Sequence, residues 1–122
     1  MKVVNKPWGR ECWIEINARY CLKRIELNAR MRTSLQLHER KIETNVIITG
    51  EAIVVLDDSD GHLVEQVLGP GSSFTVYPFQ RHRVTALTDV VMIEASTPDV
   101  DDVIRLDDDA GRPDGRIESE HE

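Results

Sequence analysis

The chain has 122 residues, of which 40% are hydrophobic and 30% charged, and its formal net charge is −7. This length suits one domain with a core of its own. The acidic balance argues against nucleic acid or an anionic membrane as a partner, because both need a basic surface. Ten of the 22 acidic residues follow Pro98, so the preceding chain is about neutral and a small anionic substrate is still compatible with it.

Two features of the sequence bear on the compartment. Residues 1–8 lack the apolar segment of a signal peptide, and no apolar run approaches the roughly 20 residues of a membrane span. Cys12 and Cys21 lie in apolar runs. They could pair across an early hairpin, although two buried free thiols are the interpretation we favour. We therefore expect a cytoplasmic protein.

The predicted elements are short strands separated by turn signals. In chain order the strands cover residues 12–16, 20–27, 34–38, 45–48, 52–56, 63–68, 74–77, 83–86 and 90–94. Gly50, the Asp-Gly pair at 60–61 and the Gly-Pro-Gly run at 69–71 mark tight turns between them. About nine strands without a long helix are typical of an all-β sandwich or barrel.

The end of the chain has a different character. Residues 100–106 follow Pro98 and Asp99, which suit a helix start, so we expect a short C-terminal helix there. Residues 110–122 are acidic and polar and predict a partly disordered tail. The sequence thus predicts a single domain over residues 1–109 followed by this tail.

Four residues have good metal chemistry and a suggestive spacing. Gln36 and His38 are two apart, so on a strand they point to the same face. Glu43 lies across a short connection, and His82 follows 39 residues later. Two imidazoles, a carboxylate and an amide oxygen suit one divalent ion such as zinc, manganese, iron(II), cobalt or nickel. Each residue alone is more often an ordinary polar side chain, and the spacing is what favours a site.

This spacing resembles the first cupin motif, in which Gly, five residues, His-x-His, three or four residues, Glu, six residues and Gly follow one another. Gln36-x-His38, Glu43 and Gly50 match it, with Gln36 in place of the first histidine. Residues 71–82 are similar to part of the second motif. The chain departs from the two motifs at four further positions, namely Arg30 for a glycine, Tyr77 for a proline, Phe79 for a glycine and Ala86 for an asparagine. The resemblance implies a jelly-roll barrel, the cupin double-stranded β-helix.

Four segments resemble, more narrowly, the cupin domain of type II mannose-6-phosphate isomerases, which lies C-terminal in bifunctional guanylyltransferase/isomerases. They are Lys-Pro-Trp-Gly at 6–9, Tyr-Cys-Leu-Lys-Arg-Ile at 20–25, Ser-Leu-Gln-Leu-His at 34–38, and Asp-Asp-Val-Ile-Arg at 101–105 with Gly-Arg at 111–112. The resemblance implies metal-dependent interconversion of mannose 6-phosphate and fructose 6-phosphate, with zinc the first choice of metal. The matched segments contain no guanylyltransferase portion.

For such an isomerase we expect Lys23, Lys41 and Arg83 to serve catalysis. We expect Lys41, Arg81, Arg105 and Arg112 to bind the sugar phosphate. The resemblance implies an arginine near position 41, where this chain has lysine, a cation without arginine's bidentate fork. The general base is left open among Glu51, Glu94 and a metal-bound water.

Two other functions are compatible with the sequence. One is a non-catalytic cupin that binds a sugar or a nucleotide sugar, and the other is an iron-dependent cupin dioxygenase. Gln36 counts against the dioxygenase, whose sites lean on three histidines. A homodimer that covers a free strand edge is also expected.

Overall fold

The computed structural model describes residues 1–117, which form twelve strands and no helix. The strands are β1 (Lys2–Lys6), β2 (Gly9–Ile16), β3 (Cys21–Leu27), β4 (Leu35–Leu37), β5 (Glu43–Thr49), β6 (Ala52–Asp57), β7 (Leu63–Leu68), β8 (Ser73–Val76), β9 (His82–Ala86), β10 (Val90–Ser96), β11 (Val103–Asp107) and β12 (Gly115–Ile117). None of the described residues provides a helix that could cross a membrane.

The strands form two six-stranded sheets in which neighbouring strands are antiparallel. The first sheet has the order β1-β2-β3-β10-β5-β8, and the second has the order β12-β11-β4-β9-β6-β7. Consecutive strands repeatedly belong to opposite sheets, as in a jelly roll. The predicted all-β jelly-roll barrel is therefore confirmed.

The apolar core lies between the sheets and follows the two-residue period of the strands. Along β3, Ile25 and Leu27 are buried while Arg24 is exposed, and β10 buries Val90 and Met92 directly opposite Leu27 and Ile25. The buried cluster comprises Trp8, Ile25, Leu27, Ile47, Ala52, Val54, Leu68, Val84, Ala86, Val90 and Met92.

The predicted C-terminal helix at 100–106 is wrong. Val103–Asp107 is a strand, β11, that pairs with β4 and with β12. Val103 and Arg105 are buried whereas Leu106 is exposed, which is the alternation of a strand. The partners β4 and β12 offer backbone hydrogen bonds that outweigh the local helix-start signals of Pro98 and Asp99. The predicted tail, 110–122, contains β12, and residues 118–122 lie outside the described part.

Among residues 1–117, two non-glycine residues have left-handed backbone conformations, and both replace an expected motif glycine. Arg30 has φ +69° and Phe79 has φ +65°. The Arg30 N–H donates to the Ala86 carbonyl at 2.7 Å, and the Phe79 N–H donates to the His38 carbonyl at 2.6 Å. At both positions the backbone therefore adopts the left-handed conformation that usually favours glycine, although the residue is not glycine.

The two cysteines are buried free thiols, as favoured from the sequence. Cys12 lies on β2 and Cys21 on β3, at positions that pair with different residues, Arg24 and Ile16. Burial raises the pKa of the Cys21 thiol above its usual range. Both cysteines therefore act as small core residues.

Candidate metal centre

Three of the four predicted metal ligands meet at one point inside the barrel. His38 directly follows β4, Glu43 begins β5 and His82 begins β9. Glu43 Oε1 lies 2.9 Å from His38 Nε2 and 3.5 Å from His82 Nε2, and the two imidazole centroids are 4.9 Å apart. All three side chains are buried, and their ligand atoms lie within 4.8 Å of one another.

Both imidazoles are oriented by backbone carbonyls. His38 Nδ1 lies 2.6 Å from the Asp102 carbonyl oxygen, and His82 Nδ1 lies 3.0 Å from that of Gln80. In a metal-bound centre, an Nδ1–H donor to each carbonyl would leave the lone pairs of both Nε2 atoms for the ion. Hydrogen bonding at the second ring nitrogen is the usual support of a metal-bound histidine.

Glu43 is the anionic member of the cluster. Burial alone would raise its pKa, but the Lys41 ammonium and hydrogen bonding to both imidazoles outweigh burial and hold the pKa well below its usual range. The Asn45 side-chain amide also donates to Glu43 Oε2 at 3.0 Å. The carboxylate is therefore ionised and oriented, as a metal ligand must be.

Gln36, the fourth predicted ligand, lies on β4 opposite His82 on β9 and lines the same cavity. Its Oε1 accepts a hydrogen bond from the Ser34 hydroxyl at 2.8 Å. Two imidazole nitrogens, a carboxylate and this amide oxygen fit a zinc, manganese, iron(II), cobalt or nickel ion. A metal-binding role for these residues is therefore compatible with their geometry and charge.

The cluster forms one wall of a cavity that opens to the surface and has an empty volume of about 640 Å³, mouth included. One side of the cavity is charged and the other is apolar. The charged and polar residues include Glu11, Lys23, Gln36, His38, Lys41, Glu43, His82, Glu94 and Arg112, and the apolar residues include Trp8, Ile25, Phe74, Val84, Met92 and Val103. Most of the lining residues are polar or charged, which suits a small polar ligand more than an apolar one.

A series of buried charges of alternating sign extends from the cluster. Lys41 Nζ lies 3.2 Å from Glu94 Oε2 and 3.9 Å from Glu43 Oε1. Burial opposes the charge of Lys41, but the three carboxylates of Glu94, Glu43 and Glu11 outweigh burial and raise its pKa. Lys23, only 1% exposed, follows with its Nζ 3.3 Å from Glu11 Oε1 and 4.5 Å from the Trp13 ring centre.

Glu94 is the member of this series most suited to exchanging a proton. Burial and the nearby Glu43 carboxylate raise its pKa to about 7, although Lys41 and Lys23 oppose the rise. A carboxylic acid with a pKa near neutrality has the acidity of an efficient general acid or base. Glu94 was one of three open choices from the sequence, and its strand position on β10 alone did not separate it from Glu51, which is exposed.

The predicted catalytic and phosphate-binding cations divide into two groups. Lys23, Lys41 and Arg112 line the cavity. Arg81 pairs with Asp57 at 2.8 Å. Arg83 donates to the Thr33 carbonyl at 2.8 Å and to the Asp107 carbonyl at 3.2 Å, and Arg105 donates to the Pro113 carbonyl at 3.2 Å. Arg81, Arg83 and Arg105 thus bind other residues of the protein, and a substrate role for them stays a prediction.

Asp102 supports the site, and the sequence does not predict this role because residues 100–106 have helix-start signals. Its buried carboxylate accepts the backbone N–H groups of Glu39, Arg40 and Lys41 at 3.3, 2.6 and 3.0 Å. Its own carbonyl accepts from His38. Asp102 therefore shapes the connection between His38 and Glu43, and no local sequence signal links residues more than 60 positions apart.

Comparison with known structures shows that the barrel has the fold of a cupin. An RmlC-like cupin from Shewanella frigidimarina is similar with a TM-score of 0.68 and 21% identity, over 80% of this chain and 83% of the other. KdgF from a Halomonas species gives a TM-score of 0.69 and 17% identity, over 80% and 88% of the respective chains. At such low identity the likeness establishes the fold, which is that of a cupin.

Sequence comparison gives the family. The model of the family described as "Mannose-6-phosphate isomerase C-terminal" matches residues 1–108, and the chain belongs to this family. The alginate biosynthesis protein AlgA of Pseudomonas aeruginosa is 28% identical over 109 residues, which are 89% of this chain and 23% of AlgA. The chain therefore spans about a quarter of that relative, and the activity of the whole relative does not follow from the match.

Proposed function

We propose that this protein is a metal-dependent sugar-phosphate isomerase of the mannose-6-phosphate/fructose-6-phosphate type. The observation that carries the proposal is the location of Glu94 and Lys41 beside the cluster of His38, Glu43 and His82 in one buried cavity. A site that only binds a sugar needs no buried carboxylate paired with a lysine beside its metal ligands. Membership of the isomerase family supports the same reaction.

The reaction moves a proton between C1 and C2 of an open-chain sugar phosphate through an enediol or enediolate. A divalent ion held by Gln36, His38, Glu43 and His82 would supply electrophilic stabilisation of the two substrate oxygens. Glu94 is the residue that we assign to take the proton from one carbon and return it to the other. Its burial keeps bulk water away from that proton.

The two lysines have supporting roles in this proposal. Lys41 contacts Glu94 and remains protonated, so it stabilises the carboxylate form of Glu94 and the negative charge that develops on the enediolate. Lys23 is held by Glu11 and by the face of Trp13, which fixes its ammonium in the lining of the cavity. Both ammonium groups lie inside the cavity, as a catalytic contribution requires.

The experiment is to load the full chain with zinc, manganese, cobalt or nickel and to follow fructose 6-phosphate formation from mannose 6-phosphate. We expect turnover that a chelator abolishes and that added metal restores. Absence of turnover with all four metals would contradict the proposal. Saturable binding without turnover would then favour a binding cupin, whereas oxygen consumption with iron(II) would favour a dioxygenase.

A further inference from the structure

The last residue of β11 and the segment that follows it, residues 107–113, pass beside the cavity and carry Arg112 into its lining. We call it the C-terminal strap. It follows directly from the strand that pairs with β4, where Arg105 lies opposite Gln36. The position of the strap is therefore tied by backbone pairing to a strand that carries a proposed metal ligand.

Arginines from three separate places fasten the strap to the barrel. Arg83 on β9 contacts the Asp107 carbonyl, and Arg105 on β11 donates to the Pro113 carbonyl at 3.2 Å. Arg32, in the connection before β4, makes a two-pronged pair with Asp109, with both distances 2.6 Å. The first two contacts are partly buried, and fastening at both ends of the strap limits its movement.

Asp108 connects the fastened strap to Arg112. Its side chain is only 4% exposed. It accepts the Arg112 backbone N–H at 2.9 Å and the guanidinium Nε and Nη2 atoms at 3.0 and 3.1 Å. The turn between the two residues closes through the Gly111 N–H and the Asp108 carbonyl, with Gly111 at φ +72°. One carboxylate thus sets both the backbone and the side-chain direction of Arg112.

Exposure distinguishes Arg112 from the deeper cations of the cavity. Lys23 lies against Glu11, and Lys41 lies between Glu94 and Glu43, much as Arg112 lies against Asp108. The side chains of Lys23 and Lys41 are only 1% and 6% exposed, so a hydrated, doubly charged phosphate has less access to them. Arg112 is about 22% exposed at the cavity lining and offers the planar donor geometry that suits phosphate oxygens.

We infer that Asp108 is a positioning residue, which fixes Arg112 on the C-terminal strap to hold the phosphate of the sugar phosphate while the sugar carbons lie at the metal cluster. The inference rests on the proposed function for the identity of the ligand. It also gives the consecutive aspartates 107–109 a defined function in the fold, where the sequence alone shows only a run of acidic residues.

The test compares Asp108→Asn with Asp114→Asn in the metal-loaded full chain. Both variants remove one negative charge, but Asp114 is exposed and lies beyond the strap. We expect Asp108→Asn to raise the KM for mannose 6-phosphate about tenfold, the cost of one misplaced charged hydrogen bond, while kcat stays within about twofold. Asp114→Asn should leave both constants unchanged. Equal KM values for the two variants would overturn the inference.

A double-mutant cycle separates positioning from general damage to the strap. If Asp108 acts through Arg112, Asp108→Asn has no further effect on KM in an Arg112→Ala background. An undiminished effect in that background would contradict the inference. Asp108→Glu keeps the charge but displaces the guanidinium, and it should raise KM with an unchanged melting temperature, which shows that the effect does not come from unfolding.

Calorimetric binding of mannose 6-phosphate and of mannose to the metal-loaded chain distinguishes the two proposals. Suppose that the protein shows no turnover but prefers the phosphorylated sugar, and that Asp108→Asn loses this preference. The isomerase proposal would then be wrong, and the phosphate site would stand. If the protein does show turnover and Asp108→Asn keeps the preference for the phosphorylated sugar, the isomerase proposal would stand. The proposed phosphate site at Arg112 would then be wrong.

Discussion

The two ends of the barrel interior are built from the same strands and have opposite chemistry. On β3, the buried residue at the polar end is Lys23, and those toward the apolar end are Ile25 and Leu27. On the neighbouring β10, Glu94 lies at the polar end, and Met92 and Val90 lie toward the apolar end. β5 and β9 show the same gradient. Their residues buried toward the interior are Glu43, Asn45 and Ile47 on β5, and His82, Val84 and Ala86 on β9.

This contrast separates what a strand's period determines from what its residues do. The two-residue alternation of each strand turns side chains toward the barrel interior at both ends. At the apolar end burial stabilises these side chains, whereas at the polar end each buried charge needs a partner of opposite sign. A buried charge network adds little net stability. We therefore expect the apolar end to carry the stability of the fold and the polar end to carry its function.

The largest effect that this comparison predicts is on catalysis at the polar end. Glu94→Gln removes the proposed proton carrier and should lower kcat about a thousandfold, within the range of general acid–base catalysis. The rate of fructose 6-phosphate formation measures it. Glu65→Gln, an identical change on the exposed side of β7, should leave the rate unaltered.

Metal content must be compared in the same preparations. The Glu94→Gln protein should bind as much metal as the wild type, because Glu94 is outside the ligand set. A near-wild-type rate in this variant would exclude Glu94 as the proton carrier.

The next effect is on stability and tests the contrast itself. Leu27→Ala at the apolar end should lower the free energy of unfolding by about 3 kcal/mol, because it opens a cavity at a fully buried site. The double variant Glu11→Gln/Lys23→Met at the polar end should change it by less than about 1 kcal/mol, because both members of the buried pair are removed together.

Denaturant unfolding of the metal-free proteins gives both numbers. The double variant should at the same time lose most of its isomerase activity, since Lys23 lies in the cavity. If the double variant lowered the free energy of unfolding as much as Leu27→Ala does, the claim that stability comes mainly from the apolar end would be wrong.

The smallest effect concerns the glycine replacement at Arg30. Because Arg30 has φ +69°, Arg30→Gly should relieve about 1–2 kcal/mol of backbone strain, reduced by the conformational entropy of glycine to a net gain of about 0.5 kcal/mol. The neighbouring Ala29→Gly, at a residue outside the left-handed region, should instead lose about 0.5 kcal/mol or more. Melting temperatures of the two variants compare them directly, and a loss in both would refute the strain argument.

Much of the fold and of the polar end could be predicted from local patterns. Strand alternation and turn glycines indicated the barrel, and the spacing of Gln36, His38 and Glu43 indicated a cluster on neighbouring strands. His82, 39 residues further on, was added to that cluster by its residue type and by the resemblance to the second cupin motif.

The remaining features depend on contacts between distant parts of the chain. Residues 100–106 have helix-start signals nearby, but pairing of β11 with β4 decides their conformation. Asp102 holds the connection after His38, and Arg83 holds the strap. A charged residue in a sequence does not identify its partner, so arginines that fasten the strap could not be distinguished from arginines that face a substrate.

Metal titration of the purified full chain tests the central claim most directly. Zinc or cobalt should bind at one equivalent per chain to the wild type and to the variant Glu65→Gln on the exposed face of β7. His38→Ala and His82→Ala should bind at least a hundredfold more weakly, and Gln36→Ala about tenfold more weakly, since each removes one ligand atom. Wild-type affinity in the His38→Ala and His82→Ala variants would contradict a metal centre at the polar end of the barrel.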